Sequence, residues 1–290
     1  MSVRPTCDLS APGPVLLIGA GGMLGRAWRE LLAGAGVGVT AVGRAECDLA
    51  DPGTPARVIA DRFATVINCA AYTAVDAAES EPAAAHEINA AAVGRIAARC
   101  RDTGARLVHY STDYVFPGTT ALAYRPDDPT DPVNEYGLSK LAGERLVRES
   151  GCRHLIVRTS WLYAPWGKNF VRTIAAAART EPVLKVVDDQ TGRPTSAEAL
   201  ADATLRLLAA GAEGTHHVCD SGRCTWYEFA VEIAAFANPA CLVQPCGTAD
   251  FPRPARRPPF SVLDLTATED LIGPLRPWKD NLADVLRRME

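Results

Sequence analysis

Val15-Leu16-Leu17-Ile18-Gly19-Ala20-Gly21-Gly22-Met23-Leu24-Gly25 reads as a short apolar strand, a glycine turn and the opening of a helix. Gly19, Gly22 and Gly25 keep a G-x-x-G-x-x-G spacing. Glycines at such a junction let the backbone turn sharply and approach a pyrophosphate, while the first N–H groups of the helix point at it. A glycine motif alone is weak evidence. Its place between a strand and a helix makes it a candidate phosphate loop, with Gly19 and Gly22 against a dinucleotide.

Outward from that stretch, strand-length apolar runs alternate with helical ones. Val37–Val42, Val66–Ala70, Leu107–Ser111 and Leu155–Thr159 are the further strand candidates, and Val15–Ala20 is the first. Met23–Ala33, Ala56–Phe63, Ala83–Arg101 and Glu135–Glu149 are the helices between them. Nearly continuous apolar strands suit a parallel sheet covered on both faces. The expected fold is therefore α/β, a doubly wound parallel sheet of Rossmann type over residues 15–160, with a smaller C-terminal α/β substrate-binding part over 161–290. In that second part prolines break the rhythm, and some of its segments are expected to return to the sheet. Met1–Pro14, with three prolines and no apolar run, reads as a loose tail and not as a secretion signal.

Composition narrows the function. The 290 residues carry a net charge of -4, with 48% hydrophobic and 22% charged residues, and no long Lys/Arg run to draw nucleic acid. No apolar stretch reaches the ~18 residues of a membrane helix. Nine cysteines without a secretion signal favour reduced thiols and a cytoplasmic protein. Cys219/Cys224 and Cys241/Cys246 are spaced too widely for a typical structural zinc pair. His216 and His217 are adjacent in an expected strand, so they point to opposite faces and do not share a metal.

Two positions bear on the chemistry. An NAD site would put an acid at the end of the second strand to hold the ribose 2′-hydroxyl; Arg44 stands there and suits the 2′-phosphate of NADPH, with NADH left as a further option. Asp48 and Leu49 follow, in a segment suited to lining the adenine. Tyr136 and Lys140 are four residues apart in a helical stretch, which puts phenol and ammonium on one face. The cation is expected to lower the phenol pKa and make Tyr136 an acid-base group. At the end of the fourth strand, Thr112 is placed to hydrogen-bond a substrate carbonyl oxygen.

With these residues stand longer strings: Val66-Ile67-Asn68-Cys69-Ala70-Ala71-Tyr72-Thr73-Ala74-Val75-Asp76, Ser111-Thr112-Asp113-Tyr114-Val115-Phe116 and Arg158-Thr159-Ser160-Trp161. From about Val15 to the C-terminus the chain resembles the extended short-chain dehydrogenase/reductases, and within them the dTDP-4-dehydrorhamnose reductase family. Asp189–Thr195 and Arg257–Ser261 are similar to that family's sugar-nucleotide half. The resemblance implies reduction of the C4 keto group of a dTDP-4-keto-6-deoxy sugar, most simply dTDP-4-dehydrorhamnose to dTDP-L-rhamnose. It places Gly22, Met23, Leu24, Asp48 and Leu49 beside NADPH, joined by Ala70, Ala71, Tyr72 and Thr73. Tyr136 becomes the proton donor and Lys140 the partner of the nicotinamide ribose. Thr112, Asp113 and Trp161 would meet the sugar, and Arg257, in a basic proline-rich loop, the diphosphate.

Departures from the family pattern are local. Met23 replaces a common Gln, and Glu135 adds a charge beside Tyr136. Some members hold magnesium with glutamates at a dimer interface; Glu198 matches one such position, but Ala27 replaces another. No metal ligand is assigned and magnesium is left open, as is a homodimer. Tyr114 stands where a dehydratase of the superfamily would need a glutamate, which disfavours dehydration. A C4 ketoreductase for a different deoxysugar, and a non-catalytic NADP-binding regulatory subunit, are the rival readings.

Overall fold

β1 (Val15–Ile18) has all four side chains buried, and they divide by alternation between two cores. Val15 and Leu17 join the core beneath helix α1 (Met23–Gly34) and helix Ala197–Ala209, while Leu16 and Ile18 join the core beneath helix Ala92–Thr103. Burial on both faces is what a continuously apolar strand requires. The computed structural model describes residues 13–289. Of the tail expected over Met1–Pro14, residues 1–12 lie outside the described residues, and Pro14 O accepts a hydrogen bond from Ala64 N at 3.0 Å.

β2 (Val39–Val42) and β3 (Thr65–Asn68) flank β1; β4 (Arg106–Thr112), β5 (His154–Thr159) and the strand Gly214–His217 follow outward from β3. All five pairings are parallel. The chain reverses direction of winding between β1 and β3, so a crevice opens at their C-terminal ends. Gly214–His217 shows the second half of the chain returning to the sheet. In that strand His217 is buried edge-on to Phe116, whereas His216 is partly exposed.

Two helices differ from expectation. Ala56–Phe63 shortens to Thr54–Val58, after which Arg99 Nε caps Ile59 O at 2.8 Å. Ala83–Arg101 is divided into Pro82–His86, a π-turn Glu87–Ala91, and Ala92–Thr103. The π-turn brings Asn89 O so close to the helix Glu135–Glu149 that a Cβ on Gly143 would lie 2.0 Å from it. Asn89 then bonds Tyr72 N at 2.9 Å, Tyr72 O at 3.0 Å and Ser139 Oγ at 3.0 Å, tying the loop after β3 to that helix.

After Ser160 a third core forms from Tyr163, Val171, Phe229, Ile233, Trp278 and their neighbours. Helices Phe170–Thr180, Trp226–Ala237 and Trp278–Arg287 enclose it, with the parallel pair Val183–Val187 and Leu242–Cys246 alongside. Among the described residues, no helix is long and apolar enough to cross a membrane.

Candidate active site

A cleft of about 1170 Å³ lies along the C-terminal ends of β1, β3 and β4 and extends to Trp161 and Trp226 beside the third core. Its first wall is the glycine loop. Gly19 has φ +79°, and a Cβ there would sit 2.6 Å from Ala70 N; a Cβ on Gly25 would sit 2.2 Å from Gly19 O. Only glycine lets the loop pass so close to β3 and α1. Gly22, the N-cap of α1, brings no side-chain cap and there is no acid in the first turn, so the early N–H groups of the helix remain for an anion. Room made by missing Cβ atoms and an uncapped helix start fit the diphosphate of a dinucleotide.

Arg44 follows β2 with its side chain 87% exposed, 3.9 Å from Asp48, and both line the cleft. The neighbourhood also holds an acid that the sequence reading passed over: Glu46 Oε2 accepts from Gly43 N at 2.9 Å. Leu49, Ala70, Ala71, Tyr72 and Thr73 line the same wall, as do Met23 and Leu24.

Tyr136 enters from the first turn of helix Glu135–Glu149, whose N-cap Asn134 accepts from Gly137 N at 2.8 Å. Gly137 again allows close approach, since a Cβ there would lie 2.3 Å from Tyr114 O. That contact sets the Tyr136 helix against the turn carrying Thr112 and Asp113. Thr112 Oγ1 donates to Asp113 Oδ1 at 3.0 Å and accepts from Tyr114 N at 3.2 Å. Its hydroxyl therefore shapes the turn as well as facing the cleft. Asp113 Oδ2 is buried and has no partner among the described residues. Burial raises the Asp113 carboxyl to about 7, with the Ser261 and Thr112 hydroxyls opposing.

Lys140 does not lower the Tyr136 phenol, contrary to the expectation from their spacing. Burial, followed by the charge of Asp113, pushes the Tyr136 phenol up to about 12, and the Thr112 hydroxyl opposes the rise. Lys140 is itself buried and driven down to about 8 by desolvation, against the charge of Glu144. Its Nζ donates to Tyr110 O at 2.6 Å and lies 3.4 Å from His109 Nε2. In this form of the protein Tyr136 is a protonated phenol at neutral pH, suited to giving a proton.

Trp161 has φ 48°, the left-handed region that bulky residues rarely occupy. Two neighbours hold it: Trp226 stacks on it with centroids 3.6 Å apart, and a Cβ on Gly192 would strike its indole at 2.6 Å. Both tryptophans line the cleft.

Arg257 is not brought to the cleft. Its Nη1 donates to Asp76 Oδ1 at 2.6 Å and to Ala255 O at 2.7 Å, so its charge is already met by a carboxylate and it anchors the proline-rich loop. These two contacts use only Nη1, so Nε and Nη2 of the guanidinium keep their N–H donors, and Arg257 adjoins Tyr114, which lines the cleft. Glu198 is paired with Arg288 at 2.5 Å, and Ala27 is buried.

Sequence reasoning missed His109, Trp226, and the pair of Glu144 with Arg158. His109 interrupts an apolar strand, Leu107-Val108-His109-Tyr110, which is a readable signal for a buried polar group with a task. Arg158 interrupts its strand in the same way. Trp226 has no local signal, since its role comes from stacking on a residue 65 positions away.

The model of the RmlD substrate binding domain family matches residues 13–290. The chain is 43% identical over 284 residues to the dTDP-4-dehydrorhamnose reductase of Burkholderia thailandensis, covering 91% of this chain and 95% of the relative. It is likewise 43% identical over 282 residues to the dTDP-4-dehydrorhamnose reductase of Streptomyces griseus, covering 93% and 91%. A solved dTDP-4-dehydrorhamnose reductase from Bacillus anthracis, in complex with NADP, superposes with a TM-score of 0.91 at 34% identity, covering 95% of this chain and 99% of that one.

Proposed function

Because the chain belongs to the RmlD substrate binding domain family, we propose that its cleft carries out NADPH-dependent reduction of the C4 keto group of a dTDP-4-keto-6-deoxy sugar, dTDP-4-dehydrorhamnose to dTDP-L-rhamnose. The observation that carries this reading is the single cleft in which the glycine loop and Thr112, Tyr136 and Lys140 all converge. When bound, NADPH supplies the hydride.

The residues of the chain do the rest. Gly19, Gly22, Met23 and Leu24 seat the diphosphate at the start of α1, where the backbone N–H groups are free of side-chain caps. Arg44 faces the 2′-phosphate, and Asp48, Leu49 and Ala70 to Thr73 line the remaining length. Thr112 turns its hydroxyl to the substrate carbonyl oxygen, and Tyr136 gives that oxygen a proton as negative charge develops on it. A phenol held protonated by burial is in the right state for this step. Lys140 holds the nicotinamide ribose. Asp113 and Trp161 contact the sugar, Trp161 from the side of the third core, so the half of the chain after Ser160 serves mainly the sugar nucleotide. Assembly as a homodimer belongs to this proposal and is tested by sedimentation.

Oxidation of NADPH, followed with and without a dTDP-4-keto-6-deoxy sugar, tests the reading, and NMR of the product fixes its C4 configuration. Sugar-dependent oxidation yielding dTDP-L-rhamnose is expected. NADPH binding without any sugar-dependent turnover would favour the regulatory-subunit reading, and a product of the other configuration the different-deoxysugar one.

A further inference from the structure

Beneath the cleft, Asn68, His109 and Lys140 form a buried row, 1%, 0% and 2% exposed. Asn68 Nδ2 lies 3.4 Å from His109 Nδ1, and His109 Nε2 lies 3.4 Å from Lys140 Nζ. Ala70 N donates to Asn68 Oδ1 at 3.1 Å. A backbone N–H can only donate, so the Asn68 atom facing Ala70 is the oxygen and the atom facing His109 is the NH₂. The His109 nitrogen opposite that NH₂ must then be the one without a hydrogen. A neutral imidazole carries one N–H, which is left on Nε2, pointing at Lys140. An ammonium has no lone pair to receive it, whereas a neutral amine has one and still keeps a hydrogen for Tyr110 O, 2.6 Å away.

We infer that Asn68 and His109 favour the neutral amine form of Lys140 in the ligand-free protein, which makes His109 a positioning residue for Lys140. Protonating Lys140 would require the His109 hydrogen to move to Nδ1, where it would face the Asn68 NH₂ donor to donor in a dry interior. An imidazolium at His109 meets the same conflict on both sides. Burial holds the His109 pKa well below its ordinary range, and a charge on Lys140 would push it the same way; burial drives Lys140 down to about 8 against the charge of Glu144. The other charged or titratable groups around Lys140 do not replace this control. Glu144, on its own helix, is held by Arg158 and Arg148. Tyr136, Asp113 and Cys69 line the same cleft; Tyr136 and Cys69 are held protonated by burial, and Asp113 titrates near 7.

The tautomer is read directly from imidazole ¹⁵N shifts in the full-length, ligand-free protein labelled at histidine, with His109→Gln identifying the signal. The expected result is a neutral ring at pH 8 with hydrogen on Nε2 and none on Nδ1. Hydrogen on Nδ1, or an imidazolium, overturns the inference, and neither result depends on the reductase reading. The second arm uses Asn68→Asp, whose carboxylate can accept from Nδ1–H and so reverse the tautomer. NADPH affinity, followed by fluorescence, should fall as pH rises through the Lys140 titration, and in Asn68→Asp the midpoint should move up by about one pH unit or more. An unmoved midpoint in a folded variant overturns it, and if the variant does not fold, the wild-type tautomer decides.

Discussion

Glu144 lies one turn beyond Lys140 on the same helix and grips Arg158 of β5 with both oxygens, Nε to Oε1 at 2.9 Å and Nη2 to Oε2 at 2.8 Å. Both side chains are buried, Glu144 fully so and Arg158 to within 2%, and Arg158 also donates to Pro126 O at 2.9 Å. The pair fastens the helix that carries Tyr136 and Lys140 to the sheet. Glu144→Ala leaves a guanidinium buried without its carboxylate, and urea denaturation should show a loss of about 3–5 kcal/mol. Burial alone would raise the Glu144 carboxyl, but the hydrogen bonds and charge of Arg158, helped by Ser111 and Arg148, together outweigh it and hold the group below its ordinary value. With a lowered folded-state pKa, its stabilisation is present above the unfolded value and lost as pH falls through the folded one. The acid limb of the wild-type stability curve should therefore be steeper than that of Glu144→Gln.

Tyr136→Phe keeps the ring, including its edge-on contact with Tyr114 at 6.1 Å, and removes the transferable proton. Turnover should drop by about 10²–10⁴ with NADPH affinity nearly unchanged. Wild-type kcat in the variant would remove Tyr136 from the proposed mechanism.

Asp113 works in the opposite sense to Glu144. Its folded-state carboxyl is raised to about 7, so its contribution is fully present below the unfolded value and is lost as pH rises toward 7. Between about pH 4 and 7 the wild type should lose stability relative to Asp113→Asn, by a total on the order of 4 kcal/mol, and the difference should level off above that. Thermal melts of the two proteins across this range, giving parallel curves, would refute the assignment.

Gly192→Ala drives a Cβ into the Trp161 indole, with 2.6 Å available. Trp161 cannot retreat, because Trp226 is stacked on it. We expect the KM for the dTDP-sugar to rise about tenfold, roughly 1.4 kcal/mol, while NADPH binding stays within about twofold. A rise in both would mean that the cleft as a whole had collapsed.

Arg44 is exposed, and its one ion pair among the described residues is a long one, to Asp48 at 3.9 Å, which leaves its guanidinium for a phosphate. The wild type should prefer NADPH to NADH, and Arg44→Ala should narrow the preference by raising the KM for NADPH. Equal kcat/KM for the two cofactors in the wild type would show that Glu46, which accepts from Gly43 N nearby, governs the ribose end instead.

The glycine spacing from Gly19 to Gly25, the apolar runs and the Tyr136/Lys140 interval by themselves determined the sheet, the position of the cleft and the pair that occupies it. These rest on turn chemistry and side-chain periodicity, which act over a few residues and are written locally. Tertiary structure alone decided that Tyr136 is pushed up in pKa and not down, because desolvation depends on what packs over the phenol, and the contacts of Lys140 depend on β4. It also decided that Arg257 is taken by Asp76, 181 residues earlier, and that Trp161 is held by Trp226 and Gly192. Burial and long-range pairing are fixed only when distant elements meet, so no local pattern in the chain encodes them.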